Sequence, residues 1–298
     1  MDANVRVVRE VTADGLQQTY RPILDLENFL CGLGWMGEAS SEHVRRLWLP
    51  DRTERTVRET MNRLVRDELV ERRAWFVPRP KVNGKKQGPV LQEVLWSLGK
   101  RGRELVKDRD AFPPATLAPR HTKLLAHDTQ TYEIIVRMIE LARPFGLSGV
   151  YLEREARLDP PRRRPIMDAF VSLRFLGGGV PDNVVPWTKD KSETEEVRLR
   201  YAIENDRNSE PGSVIKAKAD AYIRSGNEQW FKLYSRPFPV VVWLVPTETR
   251  LRFVLEAWRE VWPQGTWYLT TDEWMKYNRW VFYHRGTVRE RPLFVEEQ

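Results

Sequence analysis

Cysteine is almost absent from this 298-residue chain: Cys31 stands alone, so no internal disulfide can form. Histidine is nearly as scarce, and its four copies, His43, His121, His127 and His284, show no metal-ligand spacing. No apolar run reaches the roughly eighteen residues that a membrane-spanning helix needs. The opening Met1–Glu10 alternates charge with valine and lacks the apolar centre of a signal peptide. The glycines build no phosphate-cradling loop, because Gly177-Gly178-Gly179 is followed by neither a helix pattern nor the required lysine. Internal repeats are missing too. These absences lead to the expectation of a soluble chain in a reducing, cytoplasmic setting, with no membrane partner.

What is present points to packed domains. Hydrophobic residues make up 41% and include twelve tryptophans, which excludes wholesale disorder. The length allows one large or two ordinary domains. Charge is distributed unevenly. The segment from Ser41 to Asp110 holds 18 basic and 11 acidic residues, whereas the remainder balances at 31 of each, so the whole formal charge of +7 resides there. Clustered cations suit a phosphate backbone, since each neutralised phosphate releases condensed counterions. A solubilising surface explains charge excess equally well, so the pattern within the segment has to decide.

That pattern is three short helices followed by a hairpin. From Pro22 to Met36 the apolar positions Ile23, Leu24, Leu26, Phe29, Leu30 and Leu33 predict a buried helix ended by Gly37. Ser40-Ser41-Glu42 caps a second helix, and Thr53 caps a third that runs to about Leu69. In the third helix Val57, Met61 and Leu64 share one side, and Arg55, Arg58, Asn62 and Arg66 share the other. An extended stretch, Val70–Val77, precedes the basic turn Lys81–Lys86, and a returning strand, Val90–Leu98, closes at Gly99-Lys100-Arg101-Gly102. Together these read as a winged helix-turn-helix. Arg58, Asn62 and Arg66 then face the major groove of double-stranded DNA, with Arg55 a further DNA-binding candidate on the same side, and Lys81, Lys85 and Lys86 face phosphate or minor groove. The competing reading is a helical domain whose charged side simply meets water.

Asp110–Pro119 carries three prolines without periodicity and reads as a linker. Beyond it, the order is helix (His127–Leu141), strands (Gly149–Leu152, Met167–Phe175, Arg198–Glu204), helix (Pro211–Arg224), strand (Pro239–Leu244), helix (Thr247–Trp262) and a closing strand (Thr266–Thr270). Leu176–Glu196 is expected to be a long hairpin loop. This alternation predicts an α/β sandwich. The resulting domain expectations are a DNA-binding domain at 20–109, a linker at 110–119, the α/β domain at 120–285 and a tail at 286–298. Trp274, Tyr277, Trp280 and Tyr283 are expected mainly in the core, with a dimer face or a base-stacking surface as alternatives.

Two acids stand at informative places. Asp168 begins one strand and Glu204 ends the next, so pairing of the two brings their carboxylates to one sheet end. Convergent hard oxygens hold Mg²⁺ or Mn²⁺ beside a phosphodiester, which makes Asp168 and Glu204 the candidate metal ligands. Lys218 and Tyr222, four residues apart, share the inward side of the following helix, where a cation can stabilise phosphorane charge. Asp206 is the assisting acid. The arrangement is that of the PD-(D/E)xK nuclease-like fold, with two departures: Met167 stands where a proline usually precedes the aspartate, and Asp206 stands at the lysine position. Ordinary strand-end surface acids are an equally good reading from spacing alone.

Taken together, Leu95-Trp96-Ser97-Leu98-Gly99-Lys100-Arg101-Gly102, His127-Asp128, Asp168-Ala169, Ile203-Glu204-Asn205-Asp206-Arg207 and Lys218 with Tyr222 resemble the replication-relaxation family of plasmid and mobile-element proteins. The resemblance runs from about Ile23 to Val245. It implies DNA binding, a nuclease-like second domain, and replication or mobilisation proteins as partners; a homodimer is compatible with it. The family's first-strand glutamate corresponds to Glu153 or Glu155. The leading expectation is a DNA-binding protein carrying a metal-dependent nicking site. Its rival is a sequence-specific regulator or replication initiator whose nuclease-like scaffold is inactive.

Overall fold

In a computed structural model, which describes residues 24–77, 90–107, 125–154, 167–175, 197–228 and 238–294, every helix between Leu26 and Arg66 starts on a side-chain cap. Asp25 accepts the Asn28 amide at 3.2 Å to open α1 (Leu26–Met36), and Ser40 accepts the His43 amide at 3.1 Å to open α2 (Ser41–Trp48). Thr53 accepts from Thr56 at 3.3 Å to open α3 (Glu54–Arg66). Such caps satisfy amides that no preceding turn can reach. The short strand β1 (Ala39–Ser40) and the hairpin β2 (Val70–Val77) and β3 (Val90–Leu98) form an antiparallel sheet in the order β1-β3-β2. Leu26, Phe29, Leu30 and Leu33 of α1 are buried, as are Val57, Met61 and Leu64 of α3. Each such side chain contributes about 1.5–3 kcal/mol when fully removed from water.

The sequence reading closes the returning strand at Gly99–Gly102 and places no helix after it. Instead Gly99 precedes a further helix, α4 (Lys100–Val106). A Cβ at Gly99 would lie 2.3 Å from the Glu68 carbonyl oxygen, and one at Gly102 would lie 2.1 Å from that of Leu69. The glycines permit close packing of this helix start on the backbone that links α3 to β2, rather than merely turning the chain. The chain divides into two compact units, Met1–Arg120 and His121–Gln298. The expected linker at 110–119 and the turn lysines Lys81, Lys85 and Lys86 lie outside the described residues.

The second unit is built on a seven-stranded sheet in the order β10-β9-β8-β7-β6-β5-β4. Its strands are β4 (Leu147–Arg154), β5 (Ala169–Phe175), β6 (Val197–Asn205), β7 (Val240–Val245), β8 (Thr266–Thr271), β9 (Trp280–His284) and β10 (Thr287–Arg291). The β6–β7 and β7–β8 pairs are parallel and the rest antiparallel. All six residues of β7 are buried, as a parallel strand covered on both faces requires. Helices α5 (Leu125–Ala142), α6 (Gly212–Glu228) and α7 (Glu248–Val261) cover the sheet, and α8 (Asp272–Lys276) follows β8. Successive strand residues face opposite ways. Glu204 bonds to α6 and Asn205 to α5, so these two helices lie on opposite faces. The α6–α7 face holds an aromatic core in which Trp258 meets Trp243 at 5.3 Å, Trp267 at 5.4 Å and Tyr222 at 5.6 Å.

Two expectations need correction at the C-terminal end. The sheet does not close at Thr270, and the segment expected as a tail from 286 onward supplies β10, followed by the buried Leu293 and Phe294. The missed hairpin turns at Arg285-Gly286, both at positive φ (46° and 87°), which is how a two-residue turn joins twisted strands. Trp274, Trp280 and Tyr283 are buried as expected, but Tyr277 is 76% exposed because it ends α8 instead of facing the sheet. Among the described residues no helix is long and apolar enough to cross a membrane.

Candidate functional site

The end of β6 gathers the charged groups of the second unit. Asp168 donates its amide to the Ile203 carbonyl at 3.0 Å, and its Oδ2 accepts the Asn205 amide at 2.7 Å. The carboxylate is thereby locked across the mouth of two neighbouring strands. Its Oδ1 lies 3.0 Å from His127 Nε2, at the start of α5. Asn205 Nδ2 ties the same helix down by donating to the His127 carbonyl and to Thr131 Oγ1, both at 3.1 Å.

On the other face Glu204 is entirely buried. Tyr222 donates its hydroxyl to Oε1 at 2.7 Å, and Lys218 donates to Oε2 at 2.8 Å. One helical turn separates these donors, which is why the four-residue spacing puts both on one carboxylate. Lys218 also reaches Glu210 Oε1 at 2.7 Å and lies 5.2 Å from the centre of the Trp243 ring. The lysine thus sits between two carboxylates. Burial works against its charge, yet Glu204 and Glu210 overcome this and hold its pKa above the ordinary lysine range. Burial likewise pushes Glu204 up to about 7, against the pull of Lys218 and with help from the Asp168 charge. Within this pair Lys218 remains a cation through neutrality, and Glu204 is the member that takes up a proton. The Asp168 hydrogen bond raises His127, outweighing the opposing effect of burial.

Of the four residues expected at this site, Glu204, Lys218 and Tyr222 form one hydrogen-bonded group, and Asp168, with His127 and the Asn205 amide, forms a second whose charge Glu204 feels. Asp206 is held differently. Its carboxylate pairs with Arg250 of α7 and accepts the Ser209 amide, while the same arginine donates to the Glu210 carbonyl. Asp206 pins the loop that carries Glu210. Sequence reasoning did not select His127 or Glu210 as site residues. His127 offered its place at the start of a helix pattern and, with Asp128, a share in the family resemblance, neither of which assigned it a role, and Glu210, in a loop, offered no periodic signal. Of the two glutamates proposed for the first strand, Glu153 lies in β4 opposite Phe170, and Glu155 lies outside the described residues. Among the described residues no three His, Cys, Asp or Glu side chains are grouped so that they could hold a metal ion.

In the first unit, Arg55, Arg58, Asn62 and Arg66 are all exposed on α3. Arg55 is paired with Glu59 at 2.8 Å, whereas Arg58, Asn62 and Arg66 have no partner among the described residues. A cleft of about 560 Å³ opens beside α3, lined by Arg58 and Asn62, by Arg72 of β2, by Glu93 and Trp96 of β3, and by Arg45 of α2.

The family model described as replication-relaxation matches residues 33–241. The chain belongs to the replication-relaxation family. No curated protein and no solved structure matches it. Membership in the replication-relaxation family supports a role in the replication or relaxation of plasmids or mobile elements. The matched span contains α3 and also His127, Asp168, Glu204, Glu210, Lys218 and Tyr222. Arg250 and strands β8 to β10 lie beyond it.

Proposed function

We propose that this replication-relaxation protein binds double-stranded DNA through α3, with the β2–β3 hairpin as a wing. The observation that carries the reading is the set of polar groups on α3, Arg58, Asn62 and Arg66, which have no partner among the described residues and stand exposed opposite a buried Val57–Met61–Leu64 stripe. The element order α1, β1, α2, α3, β2, β3 supports a winged helix, in which the third helix lies in the major groove. Arginine and asparagine suit base edges there because each offers a planar, two-point hydrogen-bonding group. Binding-site selection followed by titration over a range of salt tests this. The protein enriches a defined sequence, and its affinity falls steeply with salt. Affinity that is indifferent to salt sinks the proposal.

The placing of Asp168 and Glu204 at the ends of neighbouring strands, with Lys218 on Glu204, supports a second reading, a PD-(D/E)xK-like nicking activity. Asp168 and Glu204 are the hard-oxygen donors that would hold Mg²⁺ or Mn²⁺, but every oxygen of the two already accepts a hydrogen bond, so an ion would have to displace some of these bonds and find at least one further ligand. A bound ion would supply an activated water. Lys218 keeps its positive charge beside the strand ends, and His127 and the Asn205 amide hold Asp168 in place. Supercoiled plasmid incubated with either ion decides the matter. Nicking that vanishes in Asp168→Ala and Glu204→Ala supports the enzyme. Tight binding with intact plasmid supports a regulator or initiator on an inactive scaffold.

A further inference from the structure

The β2–β3 hairpin carries an apolar feature that a charged DNA-binding surface does not account for. Phe76 and Leu91 are 53% and 48% exposed and stand directly opposite each other in the strand register. Between Trp75 and Phe76 the register slips, so that Gln92 is the extra residue. A bulge of this kind bends a hairpin and re-aims its side chains. Alternate residues of β2 share one face, which puts Phe76 on the side of Arg72, the residue that lines the cleft together with Arg58 and Asn62 of α3. The apolar pair therefore extends the wall of that cleft away from the cations.

Single exposed apolar residues are ordinary, but two in register beside a cleft of mixed charge that holds the exposed Arg58 and Arg72 call for an occupant. A second copy docking by this same face would bring a further Arg58 and Arg72 into the same interface and add like charge there. Neither arginine has a partner among the described residues. A polyanion meets the arginines favourably, and within DNA the base faces are the broad apolar surface. They become available where a base step opens, and inserted Phe or Leu side chains are a known means of holding such a step open.

We propose that Phe76 and Leu91 form a wedge that contacts unstacked bases in the duplex engaged by α3, so that binding distorts the DNA locally. This rests on the DNA-binding reading above. Its test uses the full chain and short duplexes carrying 2-aminopurine at successive positions, whose fluorescence rises on unstacking. The wild type is expected to raise the signal at one or a few steps. Phe76→Ser combined with Leu91→Ser should bind with an unchanged salt slope but lose the rise, while Phe76→Trp should keep it. Both positions are half in solvent, so the variants should fold, as circular dichroism will show. An undiminished rise in the double variant overturns the wedge, and so does wild-type binding without any rise. Absence of DNA binding by the wild type removes the parent reading as well. A wild-type dimer that the double variant converts to monomers assigns the face to a second copy and also overturns the proposal.

Discussion

Arg58 and Lys218 are both cations, yet the first is exposed and has no partner among the described residues, and the second is wedged between Glu204 and Glu210 beside Trp243. The two units use charge under opposite conditions. On α3, solvent screens each arginine, so its presence costs the fold little and its field remains available to an incoming polyanion. At the end of β6, Glu204 is sealed from water, and the energy of each group depends on its immediate neighbours. Exposed charge can be changed with consequences mainly for binding. Buried charge cannot be changed without consequences for the fold.

The largest test of this contrast removes the buried cation. Lys218→Met leaves Glu204 without its counter-charge and should cost about 3–5 kcal/mol in urea unfolding of the second unit. Adding Glu204→Gln should recover part of that loss. An unchanged denaturation midpoint in the single variant would mean that the pair contributes nothing.

Next in size is the pH dependence. The folded-state pKa of Glu204, about 7, lies above its ordinary value, so folding favours its protonated form. Its contribution is fully present below the ordinary carboxylate range and is lost as pH rises through about 7. The change amounts to about 3 kcal/mol. His127, raised by Asp168, slopes the same way, its contribution disappearing as pH climbs above the ordinary imidazole range. Stability of the second unit should therefore decline between about pH 5 and pH 7 in chemical denaturation, and Glu204→Gln should flatten most of that decline.

Changes on α3 should be smaller and fall on binding. Arg58→Ala and Asn62→Ala are each expected to lose about 1–3 kcal/mol of affinity for the selected DNA site and to relax its sequence preference. Their unfolding free energies should stay within about 0.5 kcal/mol of wild type. Arg55→Ala should have the least effect, because Glu59 already holds that guanidinium. Its signature in a salt titration is a slope lowered by at most about one. If Arg55→Ala weakens binding more than Arg58→Ala, the face of α3 has been assigned the wrong way round.

Legibility followed range along the chain. Thr53 as a cap, the buried Val57–Met61–Leu64 stripe and the all-apolar β7 are decided by neighbours within a few residues, and the structure has each of them. The same holds for Lys218 and Tyr222, whose spacing alone puts them on one side of α6. His127 against Asp168 and Asp206 against Arg250 join residues about forty positions apart, and no local period announces such a pair. The β9–β10 hairpin escaped for another reason. Trp280–Tyr283 is buried at every position, so the strand shows no alternation, and its Arg-Gly turn is a weaker signal than Asn-Gly.

Composition and short-range pattern were enough to locate the excess positive charge, the helix with an arginine-rich face, the strand-end acids and an α/β second half. Caps, periodicity and charge counts are properties of neighbouring residues, and a chain displays them before it folds. Tertiary structure alone decided which of those charges are sealed from water and what they touch: a lysine shared by two carboxylates, a histidine on Asp168, an arginine holding Asp206. Desolvation and Coulomb energies depend on distances in space, and those distances exist only once the sheet and its covering helices have come together.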